Sequence, residues 1–259
     1  MTVWPLASGL FFVYVAAVAA VLRGLEWKRR TAALTFAAAG LALSVAATKI
    51  PFTPIVHDWL LPPILLLLAY WTGGLLFVAP MLRAERFLLD ADRALGVRAI
   101  SAATPRPVAE LLELAYAGVY PLIPIALIIQ LTLTPTPNPA LFWSVILITD
   151  YVCFAVLPWV QTRPPRSLEA ADPWAARVRR FNVRLLGTAS IHVNTFPSGH
   201  AAEALAAALI VLDAPLLVVI WMFFNALAIS AGAVLGRYHF ALDAFMGWFV
   251  AVVVWLALR

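Results

Sequence analysis

Eight apolar stretches interrupt this 259-residue chain, and most are about 20 residues long. That is the length a helix needs to cross the hydrocarbon core of a bilayer. They cover roughly 4–22, 31–48, 59–81, 108–133, 141–160, 200–212, 215–235 and 239–258. Each run is continuous and does not alternate at period two, which points to helices and away from a transmembrane barrel. Only 12% of residues are charged while 64% are hydrophobic. A soluble domain of this size could not cover its surface with so few charges, so a soluble enzyme and a disordered chain are excluded. Cys153 has no second cysteine to pair with, which excludes a disulfide scaffold. The expectation is an all-α polytopic membrane protein with about eight transmembrane helices and both termini on one side. The first run has no basic segment before it, so it reads as a retained anchor and not as a cleaved signal.

The polar segments fall mostly on the other side: 23–30, 82–106, 161–198 and 236–238. Segment 82–106 mixes five Arg with Glu85, Asp90 and Asp92 around Phe87, Leu88, Leu89 and Leu95, and reads as an amphipathic helix in the interface. The fourth run is expected to break near Pro121 and Pro124. The net charge of +5 does not call for nucleic acid in such a chain. It suits loops that touch anionic headgroups, or a site for an anionic substrate.

Polar residues at membrane depth need a reason. Pro197-Ser198-Gly199-His200 stands at the start of one run, and Gly236-Arg237-Tyr238-His239, followed by Asp243, at the start of the last. His239 and Asp243 are four residues apart, so on a helix they share a face. Asp243 can hold one ring nitrogen of His239 and leave the other free to attack. Both helix N-termini attract phosphate through unpaired N–H groups and the helix dipole. Arg163 and Arg166, at the end of the fifth run, add two permanent guanidinium charges. Two histidines, an aspartate, several arginines and two helix N-termini on one face make a site for phosphoryl transfer. No metal set is expected, because two histidines and one aspartate are few ligands, and no cofactor is called for. Glu203, one turn beyond His200, either orients it or pairs with an arginine. Asp150, Glu110 and Glu113 read as interhelical hydrogen-bond partners, with a role in the pocket as the alternative.

These motifs resemble those of the type 2 phosphatidic acid phosphatase superfamily, related to the vanadium haloperoxidases. That family carries Lys-x6-Arg-Pro, then Pro-Ser-Gly-His, then Ser-Arg-x5-His-x3-Asp. The resemblance implies a six-helix phosphatase-like core over 59–259, with interfacial segment 82–106 and active-site loop 161–198, preceded by a two-helix membrane addition over 1–58. It implies that His239 is the nucleophile forming a phosphohistidine, that Asp243 orients it, and that His200 is the general acid. Ser198 and Gly199 resemble the family's phosphate contacts, and Arg163 the arginine of its first motif. The family's lysine is replaced by Val156, and its Ser-Arg pair by Gly232-Ala233. Arg237, Arg166 and Arg184 are the candidates to supply the missing cations. The implied substrate is a phosphorylated lipid of the phosphatidic acid, phosphatidylglycerol phosphate or polyprenyl phosphate type. The pattern around Arg237-Tyr238-His239 also looks like branches similar to inositol-phosphoceramide synthases, which transfer a phospho-headgroup between lipids. A transporter or channel with His and Asp on a proton path is the distant alternative. The resemblance implies an extracytoplasmic site in a bacterial cytoplasmic membrane, whereas the Arg-rich loops on the same face pull the other way.

Overall fold

The computed structural model describes residues 3–169, 174, 177–189, 191, 193–194 and 196–259, with only the backbone of 185–189. The loop 161–198 therefore lies partly outside the described residues. Among the described residues the regular structure is all helical apart from one isolated bridge between Thr162 and Asn194. The helices are α1 (Trp4–Val21), α2 (Trp27–Lys49), α3 (Leu61–Leu75, entered through a π-turn at Ile55–Leu60), α4 (Leu82–Ala94), α5 (Val97–Ala103) and α6 (Arg106–Ala117). They continue as α7 (Val119–Thr132), α8 (Pro139–Val156), α9 (Arg177–Ala189), α10 (Gly199–Ile210), α11 (Leu216–Leu235) and α12 (Ala241–Leu258).

Among the described residues six helices or helix pairs are long and apolar enough to cross a membrane: α1, α2, the π-turn with α3, α8, α11 and α12. The α6–α7 pair, bent by 60°, makes a seventh. This is an integral membrane protein. The break falls at Gly118, one turn before Pro121, and not at the prolines themselves. The Pro121 ring would collide with the carbonyl four residues earlier, at Ala117, so α6 ends there. Pro121 then sits in the first turn of α7, where an N–H has no partner to lose, and α7 runs on through Pro124.

The sixth apolar run, α10, has 12 residues and spans about 18 Å, too little for a full crossing. It is instead the central helix, packed on α7, α8, α11 and α12. Six alanines in it let its neighbours approach closely, and all its residues except His200 and Glu203 are buried. The first two helices share one hydrophobic core with the rest. Tyr14 donates to the Ala155 carbonyl at 2.6 Å, and the Ser8 and Tyr151 hydroxyls bond at 2.9 Å.

Two ends of the bundle can be told apart by their polar ties. At one end Arg29 donates to the Gly74 carbonyl at 2.7 Å, and Gln161 receives the N–H groups of Val78 and Ala79 through its side chain and that of Met81 through its carbonyl. Gln161 thus closes the chain after α3, which stops at Leu75, short of the expected 81. At the other end Trp143 donates to the Asp58 carbonyl and Arg259 approaches Asp213. The 82–106 segment forms two helices, and α4 is amphipathic in an unexpected sense. Its buried face carries Glu85, Leu88 and Asp92, whereas Leu82 and Phe87 are exposed.

Candidate active site

The two motif histidines meet where α10 and α12 begin. Ser198 caps α10, its hydroxyl accepting from the Ala201 N–H at 3.3 Å, while its own N–H donates to the Asp243 carbonyl at 2.9 Å. That contact needs Gly247 one turn along α12, since a Cβ there would lie 2.5 Å from the Ser198 carbonyl oxygen. The sequence therefore lets the two helix starts touch backbone to backbone. The His200 and His239 rings stand 6.1 Å apart, tilted at 72°.

Nδ1 of His239 lies 3.5 Å from Oδ2 of Asp243. The same Oδ2 receives the Phe240 N–H at 2.9 Å and the Asn194 amide at 2.9 Å. The Asn194 amide nitrogen also reaches the Thr162 hydroxyl at 2.9 Å, and its backbone N–H bonds the Thr162 carbonyl. The bridge between 162 and 194 thus carries the orientation of Asp243 back to the end of α8. Neither Thr162 nor Asn194 was marked by the sequence. Asn194 carries no motif of its own, and only its place six residues before His200 hints at a role.

His200, His239, Gly199 and Arg166 line a small cavity of about 30 Å³ together with Tyr70, Tyr116 and Tyr238. The Arg166 guanidinium lies 4.7 Å from the centre of the Tyr238 ring, which stacks on Tyr116 at 4.2 Å. Tyr238 is itself fixed by donating to Glu113 at 2.7 Å. Burial and the neighbouring Glu113 carboxylate push its phenol above the usual tyrosine range. His200, Tyr70 and Phe154 also line a larger cavity of about 580 Å³ between α3, α7, α8 and α10. Its walls are mostly apolar and aromatic, including Trp59, Trp71, Leu127 and Trp143.

The other candidate cations stand elsewhere. Arg237 is fully buried with a φ of 59°, and gives Asp92 a 2.5 Å bond and Glu169 a two-pronged one at 2.8 and 3.1 Å. Burial opposes its charge, yet the two carboxylates outweigh burial and raise its pKa. Its guanidinium is turned to acidic partners outside the histidine cavity, which departs from the sequence expectation of a phosphate ligand. Arg163 is similarly held by Glu85, at 2.9 and 2.8 Å, and this hydrogen bond pulls the Glu85 carboxyl below its ordinary range. Arg184 is exposed on α9. The residues that claim these cations, Glu85 and Asp92, lie seven apart on α4, a two-turn spacing on one face that the sequence did display.

Glu113 pairs with Arg179 at 2.6 Å and with Asn182, and Glu110 accepts the first N–H groups of α9, so both act between helices as expected. Asp150 does not: its Oδ2 is buried without a hydrogen-bond partner, and with Glu203 it lines the large cavity. The Gly232-Ala233 pair is spoken for by packing. A side chain at Gly232 would run into the Leu112 carbonyl, and the Ala233 carbonyl accepts from Tyr238 and His239.

The family model of the PAP2 superfamily matches residues 82–257, from the start of α4 almost to the end of α12. No curated protein matches the chain, and no solved structure does.

Proposed function

The chain belongs to the PAP2 superfamily, and from that premise we propose that it is a phosphatase of phosphorylated lipids working through a phosphohistidine. The observation that carries the reading is the pair of facing histidines at the junction of two cavities, a polar one with Arg166 and an apolar one reaching between the helices. The lipid tail lies in the apolar cavity and the phosphate at the junction. Nε2 of His239 attacks phosphorus, the ester P–O bond breaks, and its electron pair leaves with the lipid oxygen. His200 gives that oxygen a proton. Asp243 holds the Nδ1 proton of His239 and stabilises the positive ring, and Asn194 keeps the carboxylate in place. Arg166 and the N-terminus of α10 carry the charge on the equatorial oxygens. In the second half His200 takes a proton from water, which attacks phosphorus, and the P–N bond breaks to release inorganic phosphate and free His239. Ser198 serves by capping α10 and binding α12, and Gly199 by letting phosphate approach the backbone.

Purified protein in detergent, given a lipid phosphate without divalent metal, should release phosphate, and His239→Ala should abolish the release. Release undiminished in His239→Ala would overturn the phosphohistidine. Release that needs an added lipid or sugar alcohol would make the chain a phosphotransferase instead. Vanadate should inhibit. We place the site on the extracytoplasmic face. Single cysteines at the exposed positions Ser167 and Asn138, at opposite ends of the bundle, should label from outside and inside respectively with an impermeant thiol reagent. The native Cys153 is buried.

A further inference from the structure

The large cavity is apolar apart from a few groups near its catalytic end, and two of those are carboxyls. Asp150 comes from α8 and Glu203 from α10. Among the described residues no lysine or arginine lines the cavity. Asp150 is 1% exposed and its Oδ2 meets no hydrogen-bond donor. A buried carboxyl oxygen left without a donor is costly, and the cost falls when a ligand brings one. On α10 only His200 and Glu203 escape burial, and both face the cavity, so the helix shows the substrate one catalytic group and one acid.

We propose that Asp150 and Glu203 form a recognition site for a hydrogen-donating group, a hydroxyl or an ammonium, on the lipid beside its phosphate. The inference rests on the phosphatase reading above and adds the substrate class. Two acids in an apolar wall cannot both hold charge cheaply, and a donor lying between them relieves both. Glu203 is three residues from His200, so it lies about 4.5 Å further along α10. At about 1.5 Å per bond, the donor belongs on a carbon roughly two to four bonds from the leaving oxygen. A plain alkyl or isoprenyl phosphate, or a diacyl one, carries no donor there. A 2-hydroxyalkyl or 2-aminoalkyl phosphate does.

The test compares hexadecyl phosphate with its 2-hydroxy and 2-amino derivatives. The wild type should prefer one or both donor-bearing lipids by about tenfold or more in kcat/KM, the value of a hydrogen bond to a charged acceptor. In Asp150→Leu/Glu203→Leu the ratio should fall towards one. The gentler Asp150→Asn/Glu203→Gln keeps shape and should erase any preference for ammonium over hydroxyl. A wild-type ratio near one, or a ratio that survives both variants, overturns the inference while leaving the phosphatase reading intact. If no lipid is hydrolysed, the phosphatase reading fails, and binding still decides the carboxyl site. Trp59, Trp71 and Trp143 line the cavity. Titration with 2-aminohexadecanol should change tryptophan fluorescence at concentrations about tenfold lower than hexadecanol does, and the variants should abolish that gap. Equal titration curves for the two alcohols in the wild type would refute it.

Discussion

Arg237 stands two residues before the proposed nucleophile, and two roles for it make opposite kinetic predictions. As a phosphate ligand its loss should raise KM. As an anchor its loss should destabilise the chain and lower kcat. The structure gives the second. Replacing it by Met keeps the volume and the same positive φ, so strain cancels in the comparison, and only the pairing is removed. Asp92 (3% exposed) and Glu169 then lose their cation. Breaking a buried pair by removing one partner costs about 3–5 kcal/mol. At about 2–4 °C per kcal/mol for a chain of this size, Tm should fall by about 6–20 °C. The Arg237 carbonyl also receives the Arg166 N–H at 3.0 Å, so the loop that carries His239 and the cation over Tyr238 loosen together. A misplacement of about 1 Å lowers the chemical step about a hundredfold, whereas KM should change by less than about threefold. Changing Asp92→Asn in the same chain removes the stranded charge but keeps the acceptor for the Ala241 N–H, so part of the lost Tm should return. Melting in detergent and steady-state phosphate release read both quantities. An Arg237→Met protein with wild-type Tm and a KM raised about tenfold would refute the anchor and restore the phosphate contact.

Substitutions at three further positions probe the same frame. Asn194→Ala removes the amide from Asp243 Oδ2 and should lower kcat by about ten- to hundredfold, a hydrogen bond to a charged group, with Asn194→Asp worse because it sets two carboxylates together. Unchanged kcat in both would remove Asn194 from the positioning chain. Gly247→Ala puts a Cβ 2.5 Å from the Ser198 carbonyl and should cost about 1–3 kcal/mol of stability, along with activity, as α12 moves off the α10 cap. Normal melting and turnover would show that the two helix starts need not touch. For Glu85 the hydrogen bond from Arg163 lowers the folded pKa, so the stabilisation is present above the ordinary glutamate value near ~4.3 and disappears as pH falls through the lower folded value. Glu85→Gln should therefore melt below wild type at pH 7 and match it in strong acid, and a gap that persists in acid would assign the loss to shape.

The parts of the site that could be read from the sequence are those whose chemistry is local. His239 and Asp243 are four residues apart. His239 stands two residues before α12 and not on the helix face expected, yet that short spacing still sets its ring 3.5 Å from Asp243 in the first turn, while Ser198 and Gly199 begin a helix. The apolar runs were legible for the same reason, since crossing a bilayer is a property of one segment at a time. The run at α10 showed its limit: too short to cross, it became the most enclosed helix because alanine let four neighbours close on it, a consequence of packing that no single run displays. The cations failed to follow from sequence for a related reason. An arginine is available to a substrate only if no carboxylate has claimed it, and the claimants are remote. Asp92 is 145 positions from Arg237, and Glu85 is 78 from Arg163. Counting arginines on one face therefore overstates what phosphate can use. Much of the positive charge that marked this face holds the loops together, through α4, whose acidic side faces inward. Of the four arginines nominated from the sequence, Arg166 is the one whose side chain reaches the histidine cavity, where, among the described residues, an aromatic ring faces it in place of a competing acid. A guanidinium beside two histidines, with no acid paired to it among the described residues, is what a dianionic phosphate can bind without first breaking an ion pair.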